Sequence, residues 1–536
     1  MGEVRPQDIF RPLDVQLAEI DAGELMPLPA PYDSPGMEPP VEPLKEEWRE
    51  KYCTALDGFI GNDRLRRPES KESERDLVAK FLSGLDKLFS GKTNSGYALP
   101  FNLYMEYCAK CDACSDACHI FLASGKKEIY RPIFRSEVLR RLYAKHKSRG
   151  LLRAFLGGDG EVNANAVLRL GELAYRCNLC RRCAQACPLG IDNALIAREI
   201  RVLFSQELGM APSMLHDRGA VLQLKTGSST GINKLALADI IEFMEDDIGE
   251  KTKKRYKIPL DKKGADVLLI HNAGEYISWP EGPAAFAILF EEAGISWTLS
   301  SELAGYDAVN YGIWYDDVMA ERIALAQRKA ARELGVRRIV IGECGHAHRA
   351  AAVSSDRLAV GSDNIPRESC FPLLWEIIAR KAVVFDPLKN NFPVTLHDPC
   401  NLVRSMGVVQ PQRKILRAVC PQFREMTPCG VHNYCCGGGS GFAVMDSLNF
   451  KEWVVKVASR VKFKQILEAF GDTVADPGTV KYVCAPCSNC KGAMRNILDY
   501  YRATEKFNVR YGGLAELMVN AMAGLEKPYF EFLPGS

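Results

Sequence analysis

Cysteine dominates the chemistry that this sequence offers, and most of its thiols fall at short, regular spacings. The chain of 536 residues holds 19 cysteines. Two stretches, CAKCDACSDACH from residue 108 and CNLCRRCAQACP from residue 177, repeat one C-x2-C-x2-C-x3-C run. A disulfide framework is the weaker interpretation because cytosolic thiols stay reduced. Zinc commonly uses paired C-x2-C units, so a run of four cysteines favours iron–sulfur clusters.

The two runs resemble those of two-cluster ferredoxins. In that fold, three cysteines of each run hold one [4Fe–4S] cluster and the fourth ligates the other cluster. The resemblance assigns one cubane cluster to Cys108, Cys111, Cys114 and Cys187, and a second cubane cluster to Cys177, Cys180, Cys183 and Cys118. His119 stands where a proline usually follows the fourth cysteine. This change should alter the start of the next helix and leave ligation intact.

A third group of cysteines surrounds the stretch HNYCCGGGSGF at residues 432–442. The neighbours Cys435 and Cys436 are poorly suited to a disulfide because the geometry would be strained. They can face one iron–sulfur unit together if the backbone turns sharply. Gly437, Gly438 and Gly439 supply free φ angles, and their N–H groups can approach sulfur. The stretch predicts a cluster-binding loop, and the alternative is a glycine-rich surface loop with two buried thiols.

The wider pattern C-x34-CC-G-x46-C-x2-C resembles the cysteine-rich CCG domain of heterodisulfide reductases and their relatives. In that family, five cysteines from three strand-end loops hold a non-cubane [4Fe–4S] cluster. The resemblance implies the ligands Cys400, Cys435, Cys436, Cys484 and Cys487. It leaves open whether Cys490 is a ligand. The second gap is longer than usual in the family, which predicts an insertion around residues 445–478.

Both halves together resemble the D subunit of heterodisulfide reductase, and more closely the K subunit of the membrane redox complex linked to dissimilatory sulfite reductase. The resemblance rests on both ferredoxin-type runs and on STGINKLALADIIEFMEDDI, IGECGHAHR, HDPCNLVRSMG and CCGGGSGF. It implies a catalytic subunit beside a membrane cytochrome b, with electrons passing from quinol through two cubane clusters to the non-cubane cluster. A disulfide or trisulfide, in the K subunit on a small sulfur-carrier protein, would be reduced there.

Reduction of a disulfide also needs protons, and the loop that begins at Glu343 is the predicted source. Within it His346 is the preferred donor, because the unperturbed pKa of histidine lies near neutrality. Cys344 is interpreted as a former ligand or a substrate contact, and Glu343 is a further catalytic candidate. The alternative for His346 is a hydrogen-bonded structural role.

The elements that carry these residues change in character along the chain. Apolar residues recur at helical spacing in SERDLVAKFLSGLDKLF. From residue 264, the β-rich runs ADVLLIHNAG, RRIVIGECG, FPVTLHDPC and VKYVCAPC alternate with helical patterns, which predicts Rossmann-like α/β layers with parallel strands. Ligand sites of such folds gather at the carboxyl ends of strands, where the cysteines stand.

Five segments follow from these patterns. They are a proline-rich arm and lead-in (1–74), a helical ferredoxin-type domain (75–205), a charged connector (206–263), an α/β half without most ligands (264–390) and the CCG half (391–536). The loops HNAG, NYGIW and GECGHAH recur in the same order as HDPC, YCCGGG and CAPCSNC, which predicts two related halves that face each other. The arm is interpreted either as disordered or as wrapping a partner subunit.

Composition limits the function further. Lys plus Arg is 69 and Asp plus Glu is 67, so the basic stripe of a nucleic-acid-binding protein is not expected. We find neither an apolar run of about 18 residues nor a secretory signal, which predicts a cytoplasmic protein held at the inner face of the membrane through partner subunits.

Two other functions stay open on sequence alone. The chain could be a non-catalytic electron relay between a flavoprotein dehydrogenase and the quinone pool, since iron–sulfur subunits of glycolate oxidase and anaerobic glycerol-3-phosphate dehydrogenase share these motifs. A cysteine-rich scaffold that binds zinc is the second alternative.

Overall fold

Helices form the first part of the described chain, and two small parallel sheets with their helices form the rest. The computed structural model describes residues 20–43, 68–92, 98–147, 162–303, 314–358, 365–445 and 450–529, with residues 5, 6, 9 and 312. Much of the predicted arm and part of the NYGIW loop lie outside the described residues. Within the part of the chain that the structure describes, no helix combines the length and the apolar character needed to cross a bilayer.

The helical part builds one apolar core around the two ferredoxin-type runs. Its first helix, α1 (Lys71–Phe89), begins at a capping box formed by Ser70 and Ser73 and buries Leu77, Phe81 and Leu85 at helical spacing. The helices are α1 Lys71–Phe89, α2 Ala98–Glu106, α3 Ala113–Asp116, α4 His119–Ala123, α5 Pro132–Lys147, α6 Ala164–Tyr175, α7 Arg182–Ala186, α8 Asn193–Leu208, α9 Leu222–Thr226 and α10 Lys234–Thr252.

Helix α10 runs through much of the predicted connector. Its residues Ile241, Met244 and Ile248 are buried in a core shared with the first sheet. Only the opposite face of the helix carries the exposed charges that suggested a solvated linker. The segment is therefore part of the packed structure.

The two sheets have four parallel strands each. The strands are β1 Val267–Ile270, β2 Trp297–Thr298, β3 Arg338–Ile341, β4 Arg367–Ser369, β5 Val394–Leu396, β6 Phe423–Arg424, β7 Lys481–Cys484 and β8 Val509–Gly512. The orders are β2-β1-β3-β4 and β6-β5-β7-β8, and every neighbouring pair is parallel. The four β-rich runs of the sequence are the central strands β1, β3, β5 and β7, so the prediction of parallel strands is confirmed.

Helices alternate with these strands. They are α11 Ala273–Ser278, α12 Glu281–Glu292, α13 Asp317–Leu334, α14 Gly345–Leu358, α15 Cys370–Ala379, α16 Cys400–Ser405, α17 Gln410–Val419, α18 Phe450–Trp453, α19 Arg460–Ala469, α20 Ser488–Tyr500, α21 Ala503–Phe507 and α22 Leu514–Asn520. Helices α14, α16 and α20 follow the carboxyl ends of β3, β5 and β7. These three strand ends carry the predicted loops GECGHAH, HDPC and CAPCSNC.

The described part of the N-terminal arm packs against its own chain. Tyr32 is 4% exposed, and its hydroxyl donates a hydrogen bond to the Tyr501 carbonyl at 2.8 Å. Glu38 forms ion pairs with Arg460 at 2.6 Å and with Lys456 at 2.8 Å. The interpretation of the arm as disordered is therefore wrong for residues 20–43, because apolar burial and these ion pairs hold them on the C-terminal half of the same chain.

Candidate metal centres

The two ferredoxin-type runs fold alike. Lys110 and Asp112 flank the second cysteine of the first run with φ angles of 55° and 65°. Leu179 and Arg181 flank the corresponding cysteine of the second run at 52° and 63°. A left-handed residue on each side of that cysteine curls the loop, so that successive thiols turn towards a common centre. A short helix, α3 or α7, begins directly after each loop.

The first run meets the fourth cysteine of the second run. One cavity is lined by the thiol-bearing residues Cys108, Cys111, Cys114 and Cys187. Apolar residues, among them Ile133 and Leu189, complete its wall. Cys111 is exposed, so this cavity lies near the surface. Four thiols in an apolar pocket form a donor set that suits a [4Fe–4S] cluster.

The second run likewise meets the fourth cysteine of the first run, at a site deeper in the molecule. Cys118 lies near Cys177 and Cys180, and Cys183 lies near all three. Burial raises the pKa of Cys118 to about 12, so at neutral pH this thiol ionises only where a cation binds it. The structure thus brings together both sets of four thiols that the ferredoxin resemblance implies.

Residues 435–439, called the CC-GGG loop, lie at the centre of the third thiol group. Gly437 has a φ of 88°, and an added Cβ there would lie 2.1 Å from Ser459 Oγ. The N–H groups of Gly437 and Gly438 donate to the Sγ atoms of Cys435 and Cys436 respectively, each at 3.4 Å. Glycine is therefore required both by the backbone angle and by the close packing, and the amides face the sulfur atoms as the sequence predicts.

Six buried thiols converge at this loop. Cys435 contacts the thiols of Cys400 and Cys436. The Sγ atoms of Cys436 and Cys490 are 3.4 Å apart, and Cys487 contacts both Cys490 and Cys344. The group consists of Cys344, Cys400, Cys435, Cys436, Cys487 and Cys490, each no more than 4% exposed.

Cys484 does not join this group, in contrast to the sequence prediction. It is the last residue of β7, and its side chain lies in the core on the other face of the sheet, with Tyr482 and Cys420. The preceding residue, Val483, faces the core that contains the five C-terminal thiols of the group. Because side chains alternate along a strand, Cys484 and the thiol group lie on opposite faces. Cys490, in the first turn of α20, takes the fifth C-terminal position instead.

Two histidines contact the thiol group. His346 contacts Cys487, accepts a hydrogen bond from the Ser440 N–H at 3.4 Å, and packs edge-on against Trp314. His397 Nε2 lies 3.2 Å from Cys490 Sγ, and its Nδ1 has no hydrogen-bond partner among the described residues. Each half of the α/β region therefore contributes one imidazole to the site.

His348 has a structural role. Its Nδ1 lies 2.7 Å from the Cys344 carbonyl oxygen, and its Nε2 lies 2.9 Å from Ser369 Oγ. Burial lowers its pKa to about 4. The neutral imidazole therefore fixes the start of α14, and His346 alone of the two reaches the thiols.

Glu343 points away from the thiol group. Its carboxylate accepts hydrogen bonds from the N–H groups of Leu514 and Ala515, at the start of α22. Burial raises its pKa to about 8, with Lys491 opposing the shift. The structure therefore does not bring the Glu343 carboxylate against the thiols, in contrast to its prediction as a catalytic candidate.

The second ferredoxin-type loop is fastened directly to the CC-GGG loop. The Asn178 side-chain amide donates to the carbonyls of Gly437 at 2.8 Å and Gly439 at 3.1 Å. His119 Nε2 lies 2.8 Å from Asn178 Oδ1. Across the same junction the thiols of Cys180 and Cys435 are in contact. The thiols of the second ferredoxin-type set and the third thiol group are thus immediate neighbours.

Two family descriptions match separate parts of the chain. Residues 104–191 match the family described as 4Fe-4S dicluster domain, and residues 394–495 match the cysteine-rich domain named CCG. The first range contains both ferredoxin-type runs. The second range extends from the start of β5 into α20 and contains five of the six converging thiols.

Curated relatives extend the similarity over most of the chain. The Hdr-like menaquinol oxidoreductase iron-sulfur subunit 2 of Archaeoglobus fulgidus is 26% identical over 471 residues, covering 79% of this chain and 80% of that protein. The D subunit of the dihydromethanophenazine:CoB--CoM heterodisulfide reductase of Methanosarcina mazei is 24% identical over 432 residues, covering 79% of this chain and 95% of that protein. Over most of its length this chain is similar to D-type heterodisulfide reductase subunits and to the iron-sulfur subunit of an Hdr-like menaquinol oxidoreductase. It is an iron–sulfur oxidoreductase with 4Fe–4S cluster domains.

Sequence reasoning missed several residues of the site. His397 stands in the HDPC motif, in which the family pattern marks the cysteine alone. Asn178 lies inside a ferredoxin-type loop, where no spacing rule marks a residue that bonds to another domain. Lys462, whose side chain points towards the third thiol group, lies in the predicted insertion, where the sequence contains no motif.

Proposed function

We propose that this chain is the catalytic iron–sulfur subunit of a membrane-associated complex and reduces a disulfide or trisulfide. The observation that carries the proposal is the junction of buried thiols, in which Cys180 of the second run contacts Cys435 of the third group. The relatives named as a menaquinol oxidoreductase subunit and a heterodisulfide reductase subunit support the same class of reaction.

Three sets of thiols would hold the clusters. Two cubane clusters would use the two ferredoxin-type sets, and a non-cubane cluster would use Cys400, Cys435, Cys436, Cys487 and Cys490. When bound, these clusters would supply single electrons and an iron site for substrate sulfur. This five-residue set replaces Cys484 by Cys490, because strand alternation turns Cys484 away from the other thiols.

The three sets lie in an order from the surface inwards. The first contains the exposed Cys111, the second contains only partly buried and buried thiols, and the third is buried throughout. A partner's redox group can therefore approach the first set most closely. We assign that approach to a cytochrome b-type membrane subunit that draws on the quinol pool, which corresponds to a position at the cytoplasmic face of the membrane.

His346 is the proposed proton donor for the product thiols. It contacts Cys487, and hydrogen bonds with Ser440 and Asn489 fix its ring. Cys344 lies against the same thiol from the first α/β half. Since Cys344 borders the five-residue set without belonging to it, we give it the role of a substrate contact.

The substrate is proposed to be a small sulfur-carrier protein, as for the K-type subunit that the sequence resembles. The matching strand orders of the two sheets support the idea of two related α/β halves, the first of which has lost most of its ligands. A substrate segment would enter between these halves, where Cys344 and His346 meet the C-terminal thiols.

The proposal is tested with the full chain purified anaerobically. Iron analysis should give about twelve atoms per chain, and a paramagnetic species should appear upon oxidation beside two cubane signals upon reduction. Reduced dye with a disulfide- or persulfide-bearing carrier protein should then give turnover to free thiols. About eight iron atoms without turnover would refute the catalytic assignment.

An electron relay is the second candidate, and the burial of the thiols favours it. Cys435 is 0% exposed and Cys487 is 1% exposed, so a protein substrate needs an opening that the described residues do not provide. A relay needs no such opening. Full iron content and rapid dye oxidation by a quinone-side acceptor, with no thiol released from any carrier, would select the relay.

A further inference from the structure

The insertion between the CC-GGG loop and β7 brings positive charge into the interior. Residues 450–469 form α18, a π-helical turn over Val454–Ala458 and α19. Three cations of this segment, Lys456, Arg460 and Lys462, are at most 3% exposed. Lys456 and Arg460 pair with Glu38 of the arm. Lys462 points to the other side, towards the third thiol group.

The ammonium of Lys462 is held by neutral groups. Its Nζ donates to Asn433 Oδ1 and to Gln465 Oε1, each at 2.6 Å, and lies 3.4 Å from Met426 Sδ. The residue is 0% exposed. Among the described residues, no carboxylate forms an ion pair with it. A buried ammonium without an opposite charge is costly, so its compensation has to come from elsewhere.

The negative groups around Lys462 indicate what compensates its ammonium charge. Asp398 acts on Lys462 from a distance, yet its carboxylate is already held by the guanidinium of Arg413 through two hydrogen bonds of 2.7 Å. The other negative groups that act on Lys462 are the thiols of Cys435, Cys436 and Cys490. These three residues belong to the set proposed to hold the non-cubane cluster.

We propose that Lys462 is the buried counter-charge of the non-cubane centre and makes that centre easier to reduce. The inference rests on the proposed function, because it presupposes a cluster at the third thiol group. A fixed positive charge nearby favours the state with one more electron, as it favours any added negative charge. The function of the insertion would then be to place this positive charge beside the cluster.

The ionisation of Lys462 agrees with this role. Burial lowers its pKa to about 7, while Asp398 and the three thiols act in the opposite direction. Thiolates and an anionic cluster strengthen that opposing effect. The positive form of Lys462 is therefore the form that matches an occupied site.

The test compares neutral and charged replacements in the full, cluster-loaded chain. Lys462→Met and Lys462→Gln remove the charge, Lys462→Arg keeps it, and Lys464→Met is the matched control on the same helix, at a partly exposed lysine paired with Glu468. Redox titration followed by electron paramagnetic resonance is the measurement. We expect both neutral variants to lower the reduced fraction of the non-cubane centre about tenfold at fixed potential, which is about 59 mV for one electron.

Each other outcome has a defined meaning. An unchanged midpoint in both neutral variants, or an equal shift in Lys462→Arg, would refute the counter-charge. Selective loss of the third centre in the neutral variants, with retention in Lys462→Arg, would support it, whereas loss in all three would refute it. If the wild type itself shows only two cubane signals, the proposed function fails. A third signal that does not respond to Lys462 overturns this inference alone.

Discussion

At the scale of single residues, the proposed ligand set of the third centre depends on the choice between Cys484 and Cys490. The stretch CAPCSNC contains two overlapping C-x2-C units, so spacing alone cannot choose between Cys484 and Cys490. The alternation of side chains along β7 decides between them. Cys484 faces the core with Cys420, whereas the Sγ of Cys490 lies 3.4 Å from that of Cys436.

Replacing these two cysteines by alanine should therefore have different effects. Cys490→Ala should remove the oxidised-state paramagnetic signal and about four iron atoms per chain, because it deletes a proposed ligand of the non-cubane cluster. Cys484→Ala should keep both and lose about 1–2 kcal/mol of unfolding free energy, because it deletes a buried side chain. Iron analysis and spectroscopy of the two purified variants check this. Equal iron loss in both would restore Cys484 as a ligand.

His346 and His348, in the stretch GHAH at residues 345–348, form a second pair whose substitutions should differ in effect. His346→Gln should reduce disulfide turnover by about 10²–10⁴-fold with full iron content, because a positioned proton donor is lost. His348→Gln should retain turnover and lower the unfolding temperature, since that ring is hydrogen-bonded to the Cys344 carbonyl and to Ser369. Dye-coupled turnover and thermal unfolding are the measurements. Undiminished turnover in His346→Gln would remove this residue from the reaction.

At the scale of elements, the sequence allowed the central strands and the cluster loops to be predicted, but not the sheet edges. Strands β1, β3, β5 and β7 are mostly apolar runs that are almost wholly buried, as expected for the central strands of parallel sheets. Strands β2 and β6 have two residues each, too few for any periodicity. Their positions follow from tertiary pairing alone, as does the bond from Asn178 to the CC-GGG loop.

The CC-GGG loop gives the prediction at this scale. Gly437→Ala should displace the loop, because its Cβ would meet Ser459 Oγ at 2.1 Å and the φ angle is 88°. Gly335→Ala is the control, since φ is 64° there but nothing lies within 4 Å of an added Cβ. It should cost only about 1–2 kcal/mol of backbone strain.

Spectroscopy separates the crowding effect from the strain effect. Gly437→Ala should lose the third centre and keep the signal of the first cubane set, which lies in a separate surface cavity. Gly335→Ala should retain all signals. A Gly437→Ala protein with an intact third signal would show that the loop tolerates a side chain, and its glycines would then need another explanation.

At the scale of the whole molecule, the arm links the two ends of the chain. Glu38 forms ion pairs with Lys456 and Arg460, which precede Lys462 in the segment between the CC-GGG loop and β7. Composition predicts an extended arm, because proline prevents regular structure, but it cannot reveal a binding surface made by residues more than 400 positions away. The arm therefore stabilises the segment that carries the proposed counter-charge.

The ion pairs of Glu38 make this stabilisation pH-dependent. Burial alone would raise the pKa of Glu38, but hydrogen bonds and charge from Arg460 and Lys456 outweigh it and hold the pKa below its usual value. A carboxyl group with a depressed pKa contributes stability at neutral pH, and that contribution disappears as the pH falls through the folded-state value. Glu38→Gln should therefore cost about 2 kcal/mol at pH 7, because two buried cations lose their partner.

Thermal unfolding across pH tests the bracing role, with Glu42→Gln as a control at an exposed carboxylate of the same arm. The difference between wild type and Glu38→Gln should be largest near neutrality. It should shrink below about pH 4.5, where the unfolded chain binds the proton first, and vanish once the pH has fallen through the lower folded-state pKa of Glu38. Glu42→Gln should follow the wild type throughout. A difference that stays constant with pH would indicate altered packing rather than charge, and the arm would then hold the insertion through Tyr32 and its apolar neighbours.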